Sequence, residues 1–207
     1  MKRLSGDAST GRVASGFSRR EFLRGSGAAA AATALAGASQ VAAGEGDEKS
    51  DGVVRGKATV VLDVNGGKHE VQVQPRTTLL DVLRNQLDLT GAKPVSADPS
   101  SGAATVLIDD KPACAASTLV LQTVGKKIRT VESLGGKKLD AVPEAFTHAD
   151  AEQCGFCTPG FVVAVRAFLN EHPKATDEQI RSGLNGNICR CGTYANIIRA
   201  ISIVRGG

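Results

Sequence analysis

Cysteine is the residue type whose spacing in this chain could do chemistry. The five are Cys114, Cys154, Cys157, Cys189 and Cys191. Four of them form two tight pairs, Cys-Gly-Phe-Cys and Cys-Arg-Cys, with a stretch between them long enough for two helices that return the chain on itself. Each pair falls at a helix boundary, so four thiolates could converge. Four readings compete. A [2Fe–2S] cluster takes a shell of four thiolates; Gly155 and Gly192 would let backbone approach, and N–H groups near helix starts stabilise anionic sulfur. Structural zinc also takes four thiolates, but with wider spacing than Cys-X-Cys gives. Disulfides suit an oxidising compartment. Four unrelated buried thiols would not be expected in pairs. No Ser/His/Asp arrangement or phosphate-binding glycine loop accompanies them. His69 falls in a strand, His148 on a helix and His172 before Pro173 near a helix end, positions that suit surface or capping roles.

The elements that must position these thiols fall into two halves. In the first, 58–64 (ATVVLDV) and 69–73 (HEVQV) are β-prone runs around Asn65-Gly66-Gly67, a hairpin signal. Residues 77–87 carry Leu79, Leu80, Leu83 and Leu87 at helical spacing behind a Thr77 or Thr78 cap. A strand follows at 105–109, a turn at Asp109-Asp110, and further strand candidates at 118–121 and 127–131. The second half reads helical. Pro159 opens a helix over 159–170 whose stripe is Phe161, Val162, Val165, Phe168 and Leu169. Thr176 with Gln179 makes a capping box, and 194–204 a last amphipathic helix.

The N-terminus is an address. SRREFLR at 18–24 precedes an Ala/Gly-rich run in which Leu35 is the lone leucine, too weakly apolar for a stable membrane span. Arg19-Arg20 with Phe22 and Leu23 matches a twin-arginine export signal, with cleavage sites after Ala38 or Ala43. That route carries folded proteins, which a chain needs when a cofactor is inserted before export, so it points to the periplasm and to a cofactor; disulfides would need only unfolded export and later oxidation. Residues 1–43 thus form the signal and 44–57 a polar linker. The signal carries six Lys/Arg against Asp7 and Glu21, which is the whole of the chain's net charge of +4. The basicity therefore belongs to the address, and nucleic acid is excluded as a partner. With no Trp and one Tyr, an aromatic recognition platform is not expected either.

QCGFCTPGFVVAVRAFL followed by GNICRCGTYANIIRAI resembles the small iron–sulfur subunit of molybdenum hydroxylases, the xanthine dehydrogenase, aldehyde oxidoreductase and isoquinoline 1-oxidoreductase family. The resemblance covers roughly 58–207. It implies an α+β chain: an N-terminal ferredoxin-like β-grasp domain over 58–132, then an all-α four-helix [2Fe–2S]-binding domain over 140–207. It places Cys154, Cys157, Cys189 and Cys191 on the four ligand positions of the helical domain, and Gln153 where the family has a residue contacting the molybdopterin. The implied partner is a large molybdopterin-binding catalytic subunit that oxidises an aldehyde or an N-heterocycle. Electrons would leave toward a cytochrome c or a flavin subunit. This chain would supply no catalytic residue of its own.

One stretch departs from the pattern. The family's first domain carries a C-x4-C-x2-C loop and a fourth cysteine about a dozen residues on. Ungapped alignment of KPVSADPSSGAATVLI puts Ser96, Ser101 and Ala104 at the loop positions and Ala116 at the fourth, with Cys114 two residues early. Alanine cannot ligate, and serine oxygen substitutes poorly for thiolate on iron. The β-grasp domain is therefore expected to be present without a cluster, with Cys114 a small buried hydrophobe or an oxidisable thiol, leaving one [2Fe–2S] cluster in the chain. The rival readings are a cluster-free scaffolding subunit of the same complex and a zinc- or disulfide-stapled periplasmic binding module.

Overall fold

The computed structural model describes residues 55–206 apart from 97 and 137; the signal and nearly all of the linker read from the sequence lie outside the described residues. Five strands form one mixed sheet of order β2-β1-β5-β3-β4. β1 (Ala58–Val64) and β2 (Gly67–Val73) pair antiparallel from Ala58↔Val73 to Val64↔Gly67. Their loop is Asn65-Gly66 alone, both at positive φ (54° and 81°), the backbone of a tight hairpin turn. Gly67, expected in the turn, is the first strand residue. The Asn65 side chain also accepts from Thr130 N–H (2.8 Å) and donates to Thr130 Oγ1 (2.9 Å), tying the hairpin to the sheet's centre.

The helix α1 (Leu79–Asn85) is two residues shorter at each end than its leucine spacing suggests. Thr78 caps it by accepting from Asp81 N–H, and Leu79, Leu80, Val82 and Leu83 are buried on the sheet with Leu62, Val64, Val71 and Val73. β3 (Thr105–Ile108) turns through Asp109 and Asp110, both at positive φ, into β4 (Lys111–Cys114). Pro112 hides β4 in the sequence, because proline argues against a strand; β4 lies at the sheet edge, where a missing N–H is tolerated. Residues 118–121 are a correction in the other direction. They make one isolated bridge, Thr78↔Leu119, and run into a 3-10 turn (Val120–Thr123) rather than a strand. β5 (Lys127–Arg129) completes the sheet, parallel to β1 and antiparallel to β3.

Four helices follow: α2 (Ala141–His148), α3 (Thr158–Glu171), α4 (Asp177–Gly183) and α5 (Tyr194–Gly206). They share a second apolar core, to which β3 contributes Leu107 while Val106 faces the first core. β3 is thus buried on both faces, and α3 lies against it. That explains why α3 buries Gly160, Val163, Ala164 and Ala167 beyond its expected stripe. Asp140 caps α2 through Val142 N–H and accepts from Arg166 of α3 in a half-buried ion pair. The Thr176–Gln179 capping box opens α4 as expected. His172 caps α3 and packs on Phe168, and His148 ends α2. No helix among the described residues is long and apolar enough to cross a membrane.

Candidate metal centre

Cys157 sits at the N-cap of α3, with Cys154 in the loop before it. Cys189 and Cys191 lie in the loop leading to α5. Gly155 (φ +78°) and Gly192 (φ +82°) have open space where a side chain would go, so it is the left-handed backbone that calls for glycine at both. The two segments meet as two pairs: the thiol of Cys154 interacts with that of Cys191, and the thiol of Cys157 with that of Cys189. Cys189 also acts on Cys154 and Cys191 across the pairs, yet among the described residues no group of three or more His, Cys, Asp or Glu side chains is placed to hold a metal ion. Cys154 and Cys191 are exposed, Cys157 is half-buried, and Cys189 is 6% exposed.

The surroundings sort the four thiols. The backbone N–H of Phe156 is the main influence on Cys154 and holds its pKa below the usual thiol value. Burial pushes the Cys157 thiol up to about 12, helped by the nearby Cys189. Burial would also raise Cys189, but the hydroxyl and N–H of Thr193, with help from Cys157 and the Gly192 N–H, carry it down to about 7. Cys191 feels the Cys154 N–H as its largest influence, yet contact with the Cys154 side chain, desolvation and the neighbouring thiolates leave it raised. Donors therefore favour negative sulfur on one member of each pair.

Three supporting groups escaped the sequence reading. Thr193 Oγ1 lies 3.2 Å from Cys189 Sγ. Tyr194 accepts the Cys189 N–H at its hydroxyl (2.8 Å) and meets Phe161 of α3 edge-on at 6.2 Å, which links the two cysteine segments. Thr158, directly after Cys157, buries a hydroxyl oxygen with no partner. Of the three, only Thr193 carried a usable signal, a hydroxyl four residues after a ligand cysteine. Four thiols in two pairs, ringed by N–H and O–H donors with one dry donor left over, fit the sulfur-rich surface of an iron–sulfur cluster. Gln153 is exposed immediately before the exposed Cys154.

The loop at 96–104 offers no such set. Ser96 Oγ and Ser101 Oγ are hydrogen bonded to each other at 2.7 Å, and Ser96 donates to the Asp98 carbonyl (2.8 Å). Ala104 is buried and its carbonyl accepts from Ala115 N–H; Ala116 and the half-buried Cys114 pack on the sheet core. Two hydroxyls bonded to each other and two methyl groups do not fit iron.

A two-cored α+β chain whose two cysteine segments bring four thiols together has the donor set of an iron–sulfur protein, and comparison with known proteins points the same way. The family described as the [2Fe-2S] binding domain matches residues 130–202, and the twin-arginine translocation pathway signal sequence matches 16–36. A probable xanthine dehydrogenase subunit of Bacillus subtilis is 40% identical over 70% of this chain and 83% of its own length. The small subunit of nicotine 6-hydroxylase from Paenarthrobacter nicotinovorans is 39% identical, over 70% of this chain and 88% of its own. The structure of quinoline 2-oxidoreductase from Pseudomonas putida 86 superposes with a TM-score of 0.69 at 37% identity, over 72% of this chain and 94% of that one.

The chain belongs to the family of small iron–sulfur subunits of molybdenum hydroxylases. It is the electron-transfer subunit of an oxidoreductase. Its cofactor is a [2Fe–2S] cluster, and its partner is a large catalytic subunit that carries molybdopterin. Its signal sends it by the twin-arginine route to the periplasm.

Proposed function

We propose that the chain draws electrons from the partner's molybdopterin site through a single [2Fe–2S] cluster held by Cys154, Cys157, Cys189 and Cys191, and hands them to an external acceptor. Residues 58–132 would be a ferredoxin-like β-grasp domain without a cluster, and 140–207 the four-helix domain that binds one. The two-and-two meeting of the thiols carries this reading: each iron of a binuclear cluster takes two thiolates, so Cys154 with Cys191 would serve one iron and Cys157 with Cys189 the other. A cluster bound there supplies one-electron exchange. The protein's own part is to favour the thiolate at one sulfur of each pair, leaving Cys157 and Cys191 raised for metal binding to deprotonate. Phe156 N–H and Thr193 supply that preference for Cys154 and Cys189. Gln153, exposed beside Cys154, would face the molybdopterin. Phe156 (57% exposed) and Ile188 (50% exposed) give the rim of the thiols an apolar surface for the catalytic subunit.

With no ligands at 96–104, electrons would leave from the helical half, to a cytochrome c or a flavin subunit. Iron and acid-labile sulfide per chain on the exported protein, with EPR after reduction, test the reading. The expected result is about two irons and one signal, as one binuclear cluster requires. About four irons and two signals would return the loop to ordinary relay duty. Zinc, disulfides or no metal would leave a scaffold or a stapled binding module.

A further inference from the structure

The serine loop reaches into the very segment that carries Cys189. Ile188 N–H donates to the Ser101 carbonyl at 3.0 Å, and the side chain of the buried Asn187 donates to the Gly102 carbonyl at 3.0 Å. Gly102 stands at φ +66°, and a Cβ there would come within 2.5 Å of both Asn187 Nδ2 and the Gly186 carbonyl. On the other side, a Cβ on Gly160, in the first turn of α3 just after Cys157, would come within 2.2 Å of the Gly102 carbonyl. The loop apex is therefore wedged between the two segments that bear the paired thiols. Behind the apex runs a chain of hydrogen bonds. Ala103 N–H donates to Ser101 Oγ (3.4 Å), Ser101 Oγ meets Ser96 Oγ, and Ser96 donates to Asp98 O. With the Ser96 proton on Asp98, the proton between the two serines comes from Ser101.

We propose that Ser96 and residues 98–104 act as a brace for the Cys189 segment, with Ser96 and Ser101 as positioning residues that close the loop by hydrogen bonding. The brace presents the Ser101 and Gly102 carbonyls to Ile188 and Asn187, and so fixes the backbone on which Cys189 and Cys191 stand. Its effect on a cluster rests on the ligand assignment above, whereas its effect on the Ile188 amide does not.

The test uses the full chain in its holo complex, comparing S96A/S101A and N187A with the parent and with S101T, which keeps the hydroxyl. Expected are an unchanged far-ultraviolet CD spectrum, altered EPR g-values and midpoint potential in S96A/S101A and N187A, and parental values in S101T. In S96A/S101A the Ile188 amide should exchange about fivefold faster, the factor carried by roughly one net hydrogen bond. Parental g-values, potential and amide exchange in both alanine variants would overturn the brace and leave the ligand assignment standing. If the parent holds no iron, the ligand assignment fails instead, and the Ile188 exchange rate alone decides for or against the brace. Should S96A/S101A not fold, N187A decides by the same readings.

Discussion

Replacing Thr193 with valine removes one hydroxyl and keeps the side chain's shape. That hydroxyl sits 3.2 Å from Cys189 Sγ. Burial pushes this thiol up, and the hydroxyl and N–H of Thr193 are the chief reason its pKa is nonetheless about 7 instead of 9.0. A hydrogen bond to a charged group is worth about 1.5–3 kcal/mol, and one pKa unit about 1.4 kcal/mol. The Thr193 N–H remains in T193V, so the low end applies and the thiol should rise by about one unit. At pH 7 the metal-free parent would hold Cys189 about half as thiolate and T193V about one-tenth. The assay is the pH dependence of alkylation at Cys189, read by peptide mass spectrometry on the metal-free chain, with each rate compared to its own high-pH plateau. Coincident midpoints in parent and variant would refute the reasoning, because they would leave the hydroxyl no part in the charge on that sulfur. In the iron-loaded protein the same loss should move the midpoint potential to more negative values, since hydrogen bonds to ligand sulfur favour the reduced state.

Further expectations follow from the other thiols, the helix caps and the serine loop. In the metal-free chain the lowered Cys189 means that the unfolded state alone carries that proton between about pH 7 and pH 9, so stability should rise across this window; the raised Cys157 reverses the sign between about pH 9 and pH 12, where only the folded state keeps its proton. Urea midpoints across pH should therefore peak near pH 9, and a monotonic curve would contradict the paired arrangement. D140A removes both the α2 cap and the partner of a half-buried Arg166, and should cost about 2 kcal/mol, measured as a lower urea midpoint with unchanged slope. The quadruple variant S96C/S101C/A104C/A116C restores four thiols to the positions aligned with the family's ligands, and iron per chain should about double with a second EPR signal; unchanged iron would show that those positions no longer converge.

The sequence made some of this plain and hid the rest for physical reasons. The Asn65-Gly66 turn, the Thr176–Gln179 box and the helix after Pro159 are local, and local chemistry reads directly from neighbouring residues. Residues 118–121 mislead because they are β-prone while their context allows one bridge, at Leu119, before the chain tightens into a 3-10 turn. β4 was hidden because a proline is acceptable at a sheet edge, and edge position depends on sheet order. The cysteine pairs advertised themselves by spacing. Which sulfur pairs with which did not, because Cys154 meets Cys191 only through the packing of α3 against the later loop. The contact of Asn187 with Gly102, eighty-five residues apart, left no local trace at all.

The parallel pairing of β1 with β5 sets a timetable for the living cell. β1 begins at Ala58, yet its inner edge stays open until Lys127 and Ile128 have been made, and Asn65 waits for Thr130. The Cys154 side waits longer still, for Cys191. The export address at 16–36 leaves the ribosome well before any of these partners exists. An address read at once would present the translocase with an open sheet and a thiol set lacking half its members. Dispatch of this chain is therefore a post-translational decision, taken after the late residues have closed both halves.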